Sequence, residues 1–271
     1  MVDTLSTRIS RLLLYTFSAA VCAFLVLPVV AIVPLSFNSA AFLTYPLAGF
    51  SLRWYEELAG SSGWLGALRN SLLVAVATTA IATPIGTLAA LGLARLTSAM
   101  KPLLIAALLA PMFVPAIIVA VAMYYLYAPL GLAQSFIGLV LAHTTLATPF
   151  VVLVIHAALQ GIDTSLLRAA SSLGAHPIVV ICRILLPLIA PGVFAAAIFA
   201  FTTSFDEIVL ALLLAGAGQK TLPLQMFDGI HEQISPAITA AATLLAATSV
   251  VLLATVELMR RRRARLLGRA P

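Results

Sequence analysis

Arg168-Ala169-Ala170-Ser171-Ser172-Leu173-Gly174, followed after nine residues by Ile184-Leu185-Leu186-Pro187, lies between two strongly apolar runs. The whole connection, Gln160 to Pro187, is long for a membrane hairpin and reads as two short helices. Asp163, Thr164 or Ser165 can cap the first by accepting from its orphan N–H groups, and Gly174 can supply the left-handed residue that ends it. Pro177 opens a second segment, Ile178 to Leu186, whose apolar residues surround Arg183; Pro187 is expected to break it and release the next span. A helix, a tight turn and a helix make a projecting knob.

Outward from the knob the chain is built for lipid. It is 62% hydrophobic and 9% charged, with a mean hydropathy of +1.13, and such a composition cannot cover a water-facing surface with polar side chains. Bilayer hydrocarbon is about 30 Å thick, so a spanning helix needs roughly 20 apolar residues. Six stretches qualify: 12–35, 71–96, 103–126, 136–159, 188–214 and 238–259. The expected fold class is therefore an all-α membrane protein of six transmembrane helices forming one domain, 1–271. Arg8 and Arg11 before an apolar run, with Val21-Cys22-Ala23 beyond, have the form of a cleavable leader, but the run continues past Ala23 and favours an uncleaved anchor. Proline and glycine recur in the spans, at Pro28, Pro34, Pro84, Gly86, Pro111, Pro115 and Pro149, where neighbouring helices can satisfy freed carbonyls.

Basic residues in short connections stay on the cytoplasmic side. With both ends inside, the cytoplasmic segments hold Arg8, Arg11, Arg95, Lys101, Arg168, Arg183, Arg260, Arg261, Arg262, Arg263, Arg265 and Arg269, against Arg53, Arg69 and Lys220 outside. That asymmetry predicts cytoplasmic termini and accounts for the net charge of +6 without nucleic acid. The run Arg260 to Arg263 directly follows the last span, where it meets anionic lipid headgroups. Cys22 lies in a span and Cys182 in a cytoplasmic loop, so no disulfide is expected. No Gly-x-x-x-x-Gly-Lys-Ser/Thr sequence occurs, so the chain has no P-loop nucleotide site of its own. Neither a metal site nor a cofactor is expected.

The knob resembles the EAA loop of inner-membrane permease subunits of binding-protein-dependent ABC importers, whose hallmark is Glu-Ala-Ala, three residues, Gly, nine residues, then Ile-x-Leu-Pro. Spacing and residue types agree at Ala169, Ala170, Gly174, Ile184, Leu186 and Pro187, while Arg168 stands where the family has Glu. Small Ala169 and Ala170 let a short helix seat closely in a partner's groove, and Gly174 permits the reversal. Arg69-Asn70-Ser71-Leu72, Ser204-Phe205-Asp206-Glu207-Ile208, Thr221-Leu222-Pro223-Leu224-Gln225-Met226-Phe227 and Ile234-Ser235-Pro236-Ala237-Ile238 look like the spermidine/putrescine branch of that MetI-like family. Gly216-Ala217-Gly218 lacks the proline common before Thr-Leu-Pro there. The resemblance implies a type I ABC importer permease fold in the bacterial inner membrane, coupled through 160–187 to an ABC ATPase dimer. It further implies a second, homologous permease subunit, an extracytoplasmic solute-binding protein, and polyamine or a related small cation as solute.

Leu188 to Phe205 would span about 27 Å at 1.5 Å per residue, placing Asp206 near the outer end of the fifth helix. A carboxylate at membrane depth usually faces a cavity, a partner charge or a substrate. Adjacent helical residues diverge by about 100°, so Asp206 is expected to face a cationic solute while Glu207 contacts a neighbouring helix or the interface. The rival assignment is a helix-end cap in the headgroup layer. Aromatic faces also bind cations, so Tyr124, with Tyr125 and Tyr127, is a candidate for the path; an interfacial aromatic belt is the alternative. For His143 and His156 in the fourth span, a helix–helix hydrogen bond is expected ahead of proton relay or metal binding. Other solutes for the same machinery are an opine, a phosphonate or an anion. A stand-alone secondary transporter driven through Asp206 and the histidines is a different class of answer, and an intramembrane enzyme lacks any credible nucleophile and base.

Overall fold

In hydrocarbon a backbone has no partner but itself, so apolar runs of this length must close their own hydrogen bonds as helices. The computed structural model describes residues 5–232 and 235–266; Ile234 and Arg269, singled out above, lie outside them. In chain order its helices are α1 (Leu5–Leu35), α2 (Arg53–Gly60), α3 (Ser62–Arg95), α4 (Lys101–Phe113), α5 (Ala116–Tyr127) and α6 (Phe136–Gln160). There follow α7 (Thr164–Ser172), α8 (Pro177–Val180), α9 (Leu186–Phe205), α10 (Val209–Leu214), α11 (Leu222–Glu232) and α12 (Pro236–Leu266). Among the described residues there is no strand, only an isolated antiparallel bridge between Asn38 and Phe50.

Among the described residues, five helical stretches are long and apolar enough to cross a membrane: Ser10–Leu35, Ser62–Arg95, Phe136–Gln160, Pro177–Phe205 and Pro236–Met259. The expected third span is instead two helices, α4 and α5, bent by 101°. Val114 precedes Pro115 and is extended at φ −79°, ψ 131°, because the proline ring excludes the α region for the residue before it. Pro115, which has no N–H to donate, then starts α5. Counted as one bent span, the pair brings the number from five to six. The fifth span also differs from expectation, ending at Phe205 rather than near 214, with α10 separate beyond it.

Contacts divide the chain into two compact units, one of residues 1–61 and 226–247, the other of 62–225 and 248–271. In the first, the connection after α1 is organised on Asn38, which is fully buried. Its Oδ1 accepts from the N–H groups of Ala40 and Ala48, both at 3.2 Å, and Trp54 Nε1 donates to its carbonyl at 2.7 Å.

The second unit is centred on α3, α6 and α9. Their shared core holds Ala82, Ala90, Ala147, Val151, Ile155, Ile189, Ala196 and Ala200. Between membrane helices there is no hydrophobic drive, since lipid tails are as apolar as leucine, so close van der Waals packing of small residues holds them together. Gly86 and Gly192 are two such points. A Cβ on Gly86 would lie 2.6 Å from Val151, and one on Gly192 would lie 2.7 Å from Ala158. A second core joins Val74, Ala120, Leu139, Val140 and Ala142 with Leu210, Ala211 and Leu214 of α10.

Candidate functional site

Two groups of candidate residues sit at opposite ends of one continuous helical stretch, Pro177–Phe205. At its start is the knob. Asp163 caps α7, its Oδ1 accepting from Ser165 N–H at 2.8 Å. That N–H, with the Ser165 hydroxyl, holds the Asp163 carboxyl below the usual carboxylate value. At the other end of α7 the chain closes a Schellman turn: Ala175 N–H donates to Ala170 O at 3.2 Å and Gly174 N–H to Ser171 O at 3.0 Å. Gly174 has φ +82°, the left-handed value anticipated from its position. His176 Nδ1 then accepts from Ile178 N–H, and Pro177 opens α8.

The polar groups of the knob thus serve the knob itself. The hydroxyls of Ser171 and Ser172 donate back to the carbonyls of Leu167 and Arg168, each at 3.0 Å. On its surface Arg168 and Ala169 are exposed, and Leu173 is 89% exposed. Ala170 is half-buried. Leu166 and Ile178 add to this surface.

Pro187 does not release a new helix as expected. Ile181–Leu185 form a turn of π-helix, and the stretch runs on through α9. A proline inside an α-helix clashes with the carbonyl four residues back, here Arg183. Just ahead of Pro187 the backbone instead bonds five residues back, Leu186 N–H to Ile181 O, and this wider turn makes room for the ring. Ile184 and Leu186 are half-buried and Pro187 is exposed.

At the far end, Asp206 is the C-cap of α9, its N–H donating to Thr202 O at 3.1 Å. Its side chain is exposed, and Oδ2 accepts from Ser249 Oγ at 3.4 Å. Glu207 is half-buried. Its Oε1 accepts from the N–H groups of Val209 and Leu210, at 2.7 and 3.0 Å, capping α10. The two carboxylates therefore sit in a break between α9 and α10, not on one helix. A helix C-terminus carries partial negative charge and disfavours an acid there by about 0.3–1 kcal/mol. Asp206 is therefore the wrong charge for its own helix end, whereas Glu207 is the right one for the next helix start.

Tyr124 and Tyr125 form an edge-on pair with centroids 6.2 Å apart, and Tyr125 is 74% exposed. Among the described residues no hydrogen bond or ring contact joins Tyr124 to Asp206. His143 makes the interhelical bond expected of it, Nδ1 to Ser204 Oγ at 2.8 Å. His156 does not: its Nε2 lies 3.4 Å from Gln160 Nε2 on its own helix. Nothing in the spacing announced the meeting of the Arg69-Asn70-Ser71-Leu72 and Thr221-Leu222-Pro223 segments. Asn70 Nδ2 donates to the carbonyls of Gly218 and Lys220 at 3.1 and 2.9 Å, and Ser71 Oγ accepts from Leu222 N–H at 2.8 Å. Their common likeness to one branch of the family was the available signal.

Residues 82–265 match the family described as "binding-protein-dependent transport system inner membrane component". The chain belongs to this family. It is a multi-pass inner-membrane protein and a transport subunit rather than an enzyme. It is 34% identical over 253 residues to the spermidine/putrescine transport system permease protein PotC of Escherichia coli (strain K12), covering 93% of this chain and 96% of that one. It is also 34% identical to the putrescine transport system permease protein PotI of the same strain, covering 82% of this chain and 81% of that one. The fold matches a crystal structure of a bacterial ABC transporter involved in the import of the acidic polysaccharide alginate, with a TM-score of 0.71 at 17% identity over 95% of this chain and 97% of that one. Sequence, fold and family agree on a permease subunit of an ABC importer.

Proposed function

We propose that this chain, as a single transmembrane permease domain, imports a polyamine such as putrescine or spermidine, or a closely related small polycation. The observation that carries this reading is the 34% identity with PotC over 93% of the chain. Asp206 supports it independently. A polyamine carries several ammonium groups and little apolar surface, and an exposed carboxylate added to the negative end of a 20-residue helix is an electrostatic seat for such a group. Tyr124 offers an aromatic face to the same path, while Glu207 keeps α10 in place.

The knob, 160–187, docks on the inner side of the membrane in grooves of a separate ABC ATPase dimer. Ala169, Ala170 and Leu173 provide the close apolar contact, and Arg168 adds a cation where the family's loop has Glu. Both termini lie on that side, and basic residues after α12 meet anionic headgroups. A second homologous permease completes the pathway, and an extracytoplasmic binding protein delivers the solute. Closure of the ATPases on ATP draws the docked knobs together and tilts the helices from inward-facing to outward-facing; hydrolysis resets them. The test is uptake of labelled putrescine and spermidine by the complete transporter in proteoliposomes. ATP-dependent accumulation is expected, and accumulation that persists without the ATPase, or excludes both polyamines, overturns the reading.

A further inference from the structure

His143 is 1% exposed and spans α6 to α9 through its 2.8 Å contact with Ser204 Oγ. Ser204 is itself buried, at 4%. The other ring nitrogen, Nε2, is buried and has no hydrogen-bond partner among the described residues. A half-satisfied imidazole is a poor choice for stability alone, since an apolar side chain of similar size would leave no orphaned group. Along the rest of their contact, α6 and α9 meet through small and apolar residues such as Ala147, Ile155, Ala196 and Ala200. The polar tie comes in the last turn of α9, two residues before Asp206.

Two contacts within α9 and one to α6 define that turn. Phe205 is buried and stacks on Phe201 with centroids 5.4 Å apart, Asp206 N–H is bonded to Thr202 O, and Ser204 is held by His143. Directly beyond Asp206 the backbone leaves the helix. The carboxylate, which also accepts from Ser249 Oγ at 3.4 Å, is carried by the last turn of α9, and that turn is anchored sideways to α6 by His143.

We propose that His143, acting through Ser204, is a positioning residue that aims the Asp206 carboxylate at the cationic solute; this rests on Asp206 being the solute-facing group. A misaimed carboxylate binds the cation less well but leaves the ATP-driven cycle intact, so the effect falls on KM. A membrane-buried side-chain bond of this kind is worth about 0.6–2 kcal/mol, which corresponds to a rise in KM of roughly 3- to 30-fold.

The experiment measures putrescine uptake by the complete transporter in proteoliposomes, with variants matched for membrane abundance and ATPase stimulation. His143→Leu and Ser204→Ala are each expected to raise KM by that factor with kcat within about twofold. His143→Asn, whose amide can occupy the Nδ1 position, is expected to restore KM, and His143→Leu is expected to add little once Asp206 is already Asn. Unchanged KM in Ser204→Ala and His143→Leu, additive effects with Asp206→Asn, or no rescue by Asn overturns the proposal. Should His143→Leu not insert, Ser204→Ala, which removes only a hydroxyl, decides. A wild-type KM in Asp206→Asn instead removes the reading of Asp206 and this inference with it; a raised KM there beside an unchanged one in Ser204→Ala removes the inference alone.

Discussion

The two ends of the Pro177–Phe205 stretch solve opposite problems with similar residue types. Before it, Asp163, Ser171, Ser172 and His176 turn their polar atoms onto their own backbone, leaving Leu173 and Ile178 bare. After it, Glu207 is half-buried but Asp206 is left exposed at a helix end that disfavours it. In the proposed function one end is gripped by protein and the other meets a charge. The 29 residues between them reach about 43 Å at 1.5 Å per residue, the length of a membrane with its headgroups. One continuous helical stretch joins them, interrupted in its hydrogen bonding by the π turn at Ile181–Leu185.

The sharpest way to break this contrast is at Gly174. Its φ of +82° is one that a β-branched residue adopts only under strain, although a Cβ there would meet nothing. Gly174→Val is expected to spoil the turn rather than the packing. ATP-coupled uptake should fall at least tenfold, with roughly 1–2 kcal/mol of left-handed strain distributed over the turn, while membrane insertion survives. Normal coupled uptake by this variant would separate the knob from the drive.

The next prediction sets the two neighbouring carboxylates against each other. Both amides keep an acceptor oxygen, so only a charge requirement distinguishes them. Asp206→Asn should lower cation uptake by roughly an order of magnitude, an ion-to-dipole loss of about 1.4 kcal/mol, with ATPase stimulation kept. Glu207→Gln, whose oxygen can still accept from Val209 and Leu210, should stay within about twofold, since capping is worth about 1 kcal/mol and is only weakened. The reverse ranking in uptake assays would transfer the solute-facing role to Glu207.

The smallest expected effect concerns Asp163. Its carboxyl is held below the ordinary value in the folded chain, so the cap's contribution is complete above the unfolded carboxylate range and is lost as pH falls through the lower folded value. Knob order, followed by amide exchange at Ser165, should therefore be constant through neutral pH and loosen only under strong acid. Loosening near neutrality would assign the cap to another residue.

Much of this architecture was readable before any coordinates. Gly174 and the cap at its partner end were legible because turn chemistry is local, and the spans because lipid demands long apolar helices. What escaped depended on how separate segments compensate one another. Pro115 was a visible kink site, but a 101° break needs Val114 to go extended with it. Pro187 reads as a helix breaker until the π turn before it makes room for the ring. Asp206 and Glu207 look alike in apolar surroundings, and only the folded break separates an exposed carboxylate from a cap. His143 paired with Ser204 across helices as expected, whereas His156 turned along its own helix to Gln160.

In the proposed function ATP-derived force enters through the knob on the inner side. In a chain with Cys22→Ser and Cys182→Ser, a Leu173→Cys variant places one thiol at the most exposed apolar point of that turn. Crosslinking in the assembled transporter should join it to the ATPase and stop uptake, with yield changing between nucleotide-free and ATP-bound states. Labelling of that thiol from the outside by a membrane-impermeant maleimide, with ATP-driven uptake continuing undiminished, would contradict the account.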